Sequence, residues 1–330
     1  MTALRCHFLS PRESSPGGLS QALMSLSRHL PCVDQRDADV LVAVGWHTPA
    51  ERALCAARTG QRRVLWSHGL ATLILYRAKP FLGVLRWIFR CPELLAVVAT
   101  LRRCDRLVVA YPRRSRWDER SVDVVLARWL HVPVAVIGNP VDTDFWSPAP
   151  ARSDQPMVSV VSMGRLEWQK GHGQALSIVL SASEQLRMQL LASEGSSDAK
   201  ALYRQAQRQG QPGQLELLLG LDLEQRRRVL QQALCLLSWS ETEYQSLAML
   251  EALACGCPVV ARPRGWLCHG PIPGVLVARS RREAKRYLQR LVAEPAWRGQ
   301  LGAAGRAYVQ GHHGVRVVAQ QWIRLFDQLA

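Results

Sequence analysis

The stretch from Cys235 to Pro263, CLLSWSETEYQSLAMLEALACGCPVVARP, constrains the fold of this chain more than any other. Ala233 to Leu237 has the length and flanks of a buried parallel strand, and the polar residues from Ser238 to Gln245 fit a loop at its carboxyl end. Ser246 is placed to cap a helix, Leu247, Leu250, Glu251 and Ala254 recur at helical spacing, and Gly256 offers a left-handed terminator. Pro258 prevents continuation, and Val259 to Ala261 reads as the next strand. The stretch is therefore a strand, helix, strand unit whose helix N-terminus opens at the carboxyl edge of a sheet. Unpaired N–H groups at such an end, together with the helix dipole, favour a phosphate-sized anion.

Two acids frame that anion site. Glu243 lies in the loop before the helix and Glu251 about one turn inside it. A carboxylate accepts hydrogen bonds from hydroxyl groups, so two of them flanking a phosphate site suit a ligand with a sugar at either end of a diphosphate. Spacing alone also allows two solvated glutamates on a surface helix. The pair does not stand alone: E-x7-E followed by AxACGCPVVA resembles the signature of family 4 of the glycosyltransferases, retaining enzymes with the GT-B fold. That resemblance implies an α/β protein of two Rossmann-like domains with parallel sheets facing across a cleft. It also implies that Glu251 holds the nucleotide ribose, that Glu243 touches the donor sugar, and that Ser246 and Leu247 lie beside the phosphates. Ser246 stands where many members of the family carry Gly.

A second motif opens the other half of the same domain. Val158 to Met163 reads as a strand, followed by Gly164-Arg165-Leu166-Glu167-Trp168-Gln169-Lys170-Gly171. Two cations in a loop between strand and helix can both meet a diphosphate, while the glycines let the backbone turn. As GRLxxQKG the loop resembles a specific motif of the same family, which implies that Arg165 and Lys170 neutralise the leaving nucleotide diphosphate. Toward the N-terminus, Gly17-Gly18 sits between a strand (Leu4 to Leu9) and an apolar-periodic segment, where a backbone can approach a ligand closely. An ordinary tight turn explains the pair equally well, and the resemblance points it at the donor phosphates. His68 follows the strand Arg63 to Ser67, and ligands gather at the carboxyl ends of parallel strands. The family often places a histidine there near the donor sugar. Gly138-Asn139-Pro140-Val141-Asp142 resembles the family's turn between domains with Gly and Pro exchanged. The edges near Ser193 and Gly220 are where a base would be gripped. After Ala261 the family's Gly-Gly pair is replaced by Arg264-Gly265-Trp266, and no role is carried over.

Apolar runs at Asp39 to Gly45, Arg106 to Tyr111 and Val132 to Ile137, then Leu186 to Ala192 and Leu215 to Leu221, alternate with helical patterns, which indicates parallel strands joined by crossover helices. Helices are expected at Pro49 to Thr59, Leu73 to Cys104, Ala199 to Gln209, Glu224 to Leu234, Arg281 to Leu291, Trp297 to Tyr308 and Val315 to Leu329. The division expected is 1–146 as an acceptor-side domain, 147–312 as the nucleotide-sugar domain, and 313–330 as a helix packing back on the first domain. A length of 330 residues suits two such domains.

Composition narrows the partners. The formal charge is +16, carried by basic residues in both halves, and the pI is near 10.2, so the surface attracts polyanions. No zinc spacing, RNP-like block or basic-region helix is present, and nucleic acid is not expected. Leu73 to Cys104 interleaves Tyr76, Phe81, Trp87 and Phe89 with Arg77, Lys79, Arg86 and Arg90, which suits a helix on an anionic membrane face or a core helix with a basic outer side. Arg113, Arg114 and Arg116 form a basic loop. The nine cysteines are scattered, several within apolar runs, and read as reduced thiols. No signal peptide or membrane span is expected, so the chain reads as cytoplasmic, with peripheral attachment to the inner face of the cytoplasmic membrane.

The function these features converge on is a metal-independent retaining glycosyltransferase of hexosyltransferase type, needing no cofactor. It would move a sugar from a UDP- or GDP-linked donor to a glycan or lipid-linked saccharide of the cell envelope, as in polysaccharide or lipopolysaccharide biosynthesis. The candidate catalytic residues are Glu243, His68, Arg165 and Lys170, and those binding the nucleotide-sugar are Gly17, Gly18, Arg165, Lys170, Glu243, Ser246, Leu247 and Glu251. A GT-B nucleotide-sugar epimerase, or a non-catalytic basic module binding membrane or nucleic acid, are the alternatives.

Overall fold

The computed structural model describes residues 4–9, 18–45, 54–68, 91–111, 122–149, 158–192, 199–209 and 213–330. The chain divides into two compact units, one of residues 1–140 with 315–330 and one of residues 141–314.

The first unit is built on five parallel strands, β1 (Cys6–Leu9), β2 (Val40–Val44), β3 (Arg62–Ser67), β4 (Arg106–Val109) and β5 (Val134–Val136), arranged in that order. Every residue of β2 is buried, the burial expected of an interior strand with both faces covered. The helices described are α1 (Gly18–Ser27), α2 (Cys91–Leu101), α3 (Val122–Trp129) and, after the second unit, the last helix of the chain, Val315–Asp327. That last helix buries Val315, Val318, Ala319, Trp322, Leu325 and Phe326, an i, i+3, i+4 stripe, in one core with α1 and β1 to β4. Trp322 is fully buried, edge-on to Trp66 at 5.1 Å and to Phe8 at 5.6 Å between ring centroids. Aromatic burial of this size explains why a terminal helix stays docked on this unit.

The stretch Val122–Trp129, to which the sequence reading gave no element, is helical. Its β-branched residues give little helical signal, but Asp123 is fully buried at its start, accepting from the Ser67 hydroxyl and from Val124 N. A tertiary contact therefore holds the first turn of this helix in place. Of the helix expected over Leu73 to Cys104, the described portion is α2. Residues 73–90, Gly17, Gly69, the loop with Arg113, Arg114 and Arg116, Ser193, and the N-terminal part of the Pro49 to Thr59 segment lie outside the described residues.

The second unit has six parallel strands, β6 (Val158–Met163), β7 (Leu186–Ala192), β8 (Leu215–Leu219), β9 (Cys235–Ser238), β10 (Val259–Ala261) and β11 (Val275–Val277), in the order β11-β10-β9-β6-β7-β8. Its helices are α4 (His172–Ala182), α5 (Ala199–Gln209), α6 (Leu223–Gln232), α7 (Leu247–Ala254), α8 (Arg281–Ala293) and α9 (Pro295–His312), so that the helix Val315–Asp327 is α10. Sequence reading did not anticipate β11 or the short 3-10 turn Gly265–Cys268. This is the doubly wound, Rossmann-like order, which reverses direction between β6 and β9. Loops leaving the carboxyl ends of strands on either side of that reversal open a crevice, and here they are the loops carrying Lys170 and Glu243.

Candidate active site

The site of the second unit is assembled from three loops. The first follows β6: Gly164 has φ +151°, Trp168–Lys170 forms one 3-10 turn, and Gly171 ends it in the left-handed region at φ +65°. A Cβ on Gly171 would overlap the carbonyl oxygen of Trp239, so this loop packs directly on the loop leaving β9. A backbone bond from Glu241 N to Gln169 O, 2.8 Å, ties the two together.

His172 fastens the same loop from below. It is buried, its Nε2 lies 3.0 Å from the carbonyl oxygen of Arg165 and its Nδ1 2.9 Å from Ser162 Oγ. A carbonyl can only accept, so Nε2 carries the proton and Nδ1 accepts from the serine hydroxyl. Burial lowers the imidazole pKa to about 4, which keeps the ring neutral in this role. Nothing in the sequence marked His172 as more than the first residue of a helix.

The second loop, between β9 and α7, carries Glu243. Its Oε2 lies 3.0 Å from Lys170 Nζ, with the two side chains 11% and 24% exposed. Ser246 caps α7, accepting from Met249 N at 3.4 Å, and Leu247 is the first helical residue. At the far end of α7 the Arg306 guanidinium donates to the carbonyl oxygens of Ala254, at 2.5 Å, and Trp146, at 3.1 Å, complementing the negative end of the dipole. Glu251, in the middle of α7, is only 5% exposed. Burial raises its pKa to about 7, against a smaller opposing pull from Arg226. Two solvated glutamates on a surface helix is thus not what the structure contains.

The third loop follows β10. Arg262 pairs with Glu241 at 2.6 Å and lies over the Trp239 ring at 5.6 Å, and Arg264 Nε donates to Glu241 O at 2.9 Å. Gly265, at φ +56°, sits so close beneath Glu243 and Tyr244 that a Cβ would overlap both of their carbonyl oxygens. Trp266 N then donates to Tyr244 O at 3.0 Å. The segment Arg264-Gly265-Trp266, to which the sequence assigned nothing, is therefore the floor under the acid loop. A lone glycine between two bulky residues was the available signal.

Arg165 is 71% exposed and pairs with Glu167 at 3.0 Å, so it shares a loop with Lys170 without joining the Lys170–Glu243 pair. In the first unit, Gly18 opens α1. His68 follows β3, its ring 4.9 Å from Trp66, and burial lowers its pKa to about 4. The second unit thus gathers Lys170, Glu243, Ser246, Leu247 and Glu251 around one helix N-terminus. Such an arrangement offers a cation and backbone donors to a diphosphate and carboxylates to sugar hydroxyls.

Residues 146–307 match the model of the family described as Glycosyl transferases group 1. Among solved structures, the chain resembles Anabaena Alr3699/HepE in complex with UDP and glucose, with TM-score 0.74 and 14% identity over 98% of this chain and 100% of that one. For the same protein in complex with UDP-glucose the values are 0.70, 14%, 98% and 100%. Sucrose-phosphate synthase from Thermosynechococcus elongatus gives TM-score 0.69 and 20% identity over 97% of this chain and 80% of that one. No curated protein matches the sequence. The structural likeness is one of fold.

Proposed function

Since the second unit is a group 1 glycosyl transferase domain and the fold is that of the GT-B enzymes, we propose that the chain transfers a hexose, with retention, from a nucleotide-sugar to an acceptor hydroxyl. The observation that carries the reading is the Lys170–Glu243 pair at the strand-order reversal, beside the capped N-terminus of α7 and the buried Glu251. In this proposal the α7 N-terminus, Lys170 and the exposed Arg165 receive the diphosphate, and Glu251 takes the ribose hydroxyls. Glu243 lies beside the donor sugar, where positive character builds at the anomeric carbon. The bond from that carbon to the leaving phosphate breaks, the acceptor oxygen bonds on the same face, and its proton passes to the departing phosphate. Fixed charges and dipoles aimed at the developing phosphate charge are the main catalytic contribution, and no metal is required.

The UDP and UDP-glucose bound to Anabaena HepE support a uridine-linked donor, with a GDP-linked one as the comparison to run. The acceptor we infer is a glycan or lipid-linked saccharide of the cell envelope, reached at the inner membrane face. A net charge of +16 supports that location. No helix among the described residues is long and apolar enough to cross a membrane. The test is a panel of UDP- and GDP-hexoses read by thermal stabilisation and then by turnover. Saturation at ~100 times the dissociation constant adds about 2.7 kcal/mol, a readily measured rise in melting temperature. If no nucleotide-sugar stabilises the protein, the reading fails. Sedimentation with anionic vesicles that is unchanged at 1 M salt would remove the membrane assignment, since the Debye length there is only about 3 Å.

A further inference from the structure

Cys6 opens β1, and Cys32 lies 26 residues later, in the connection between α1 and β2. The backbone brings the two together before their side chains do. Cys6 N donates to Pro31 O and Val33 N donates to Cys6 O, each at 3.0 Å, so residues 31–33 join the start of β1 in a single parallel bridge with Cys6 opposite Cys32. The His7 ring holds the same segment, its Nδ1 2.9 Å from Val33 O. Neighbouring strands lie about 4.8 Å apart, inside the range of about 4.4–6.8 Å between Cα atoms that a disulfide tolerates. The two sulfurs are 3.6 Å apart.

Their surroundings differ. Cys6 is fully buried, in one core with Leu23, Leu26 and Leu30, whereas Cys32 is exposed. A core needs only a small apolar group at Cys6, and that need does not account for an exposed thiol directed at it. The hydrogen bond between the two lowers the pKa of Cys32 and, with burial, raises that of Cys6, so the proton stays on Cys6. The exposed sulfur thereby gains the thiolate character that nucleophilic attack requires. Cys104 shows the contrast: it is buried, donates to Thr100 O at 3.2 Å, and burial pushes its thiol up to about 12.

We propose that Cys6 and Cys32 are a reversible thiol-modification site for a low-molecular-weight disulfide, with Cys32 the attacking sulfur and Cys6 the resolving one. The Cys32 thiolate attacks one sulfur of the small disulfide, whose S–S bond breaks and releases one small thiolate. Capping Cys32 removes the hydrogen bond that held the Cys6 proton. The Cys6 sulfur then attacks that of Cys32, the bond to the cap breaks, and the second small thiol leaves with the proton that Cys6 gave up. Two protein thiols are oxidised to one disulfide, and one small disulfide is reduced to two thiols. The new bond would tie the start of β1 to the segment ahead of β2 and enclose α1 between them. In reducing compartments disulfides of this kind are transient and report the balance of thiol and disulfide. The inference is independent of the transferase reading.

Treatment of the folded full chain with glutathione disulfide, followed by alkylation and tryptic mapping, tests it. In the wild type the peptides 6–12 and 29–36 should appear joined, and dithiothreitol should separate them. Cys32→Ser should abolish the joined species, while Cys6→Ala, which keeps a small apolar group in the core, should stop with glutathione on Cys32. Joining should be about tenfold faster in the folded protein than in the urea-unfolded chain, because the backbone already holds the two thiols together. Glutathione persisting on Cys32 of the wild type as it does in Cys6→Ala would overturn the role of Cys6. No reaction at Cys32, or joining no faster in the folded protein than in the unfolded one, would overturn the proposal as a whole. Turnover is not the readout, so failure of the transferase reading and failure of this one are distinguishable.

Discussion

Lys170 Nζ lies 3.0 Å from Glu243 Oε2, joining two loops whose residues are 73 apart in the chain. With both side chains mostly shielded from water, each ion depends on the other. A donor diphosphate arriving at Lys170 would share that cation, coupling ligand arrival to the position of Glu243.

The two acids of the site are expected to fail differently. Glu243→Ala should chiefly lower kcat and leave UDP affinity nearly intact, whereas Glu251→Ala should chiefly weaken UDP. A charge-assisted hydrogen bond is worth about 1.5–3 kcal/mol, so above pH 7, where the folded chain ionises Glu251, each effect should be on the order of tenfold to a hundredfold. Calorimetry with UDP beside steady-state kinetics checks it, and equal loss of UDP affinity in both variants contradicts the assignment.

Glu251 also links stability to pH. Below its ordinary value of 4.5 the carboxyl is protonated folded or unfolded, and between 4.5 and about 7 only the folded chain keeps the proton. The folded state therefore binds more protons in that window, and stability falls as pH rises through it, by on the order of 3 kcal/mol in all. Glu251→Gln should flatten that slope. Urea unfolding of both proteins across the window measures it, and parallel curves would contradict the buried, protonated state.

Gly265→Ala should displace the acid loop. The new methyl would overlap the carbonyls of Glu243 and Tyr244, at a backbone conformation that itself disfavours alanine. Strain of about 1–3 kcal/mol is expected, seen as a lower melting temperature together with a loss of kcat larger than in a control at the exposed Gly311.

Chelation is expected to leave activity unchanged, because Lys170, Arg165 and the N–H groups of α7 are assigned to the diphosphate. Loss of turnover in EDTA, restored by Mg²⁺ or Mn²⁺, would show that a metal shares that role.

Cys6 and Cys32 lie with sulfurs 3.6 Å apart, Cys6 buried and Cys32 exposed. The hydrogen bond between them lowers the Cys32 pKa and, with burial, raises that of Cys6. Iodoacetamide followed by peptide mapping should modify Cys32 first. Faster labelling of Cys6 would contradict the arrangement.

What local sequence encodes came through wherever conformation depends on near neighbours. The alternation of apolar runs with helical periodicity specified parallel α/β architecture in both units, and β6 and β7 have the ends read from sequence. Ser246 and Gly256 mark the start and end of α7 because capping and left-handed conformation are properties of single residues. The helix Val122–Trp129 was missed because its start depends on Ser67, more than fifty residues away in the chain. The same limit governs the site. Glu251 and Glu243 were legible as a motif, but their burial was not, since a solvated helix has the same spacing. That Lys170 meets Glu243 follows from β9 lying beside β6 rather than beside β8, and that Gly265 floors the acid loop follows from β10 lying beside β9. Strand order is a property of the packed sheet, decided by how all six strands bury their faces together, and no local period carries it.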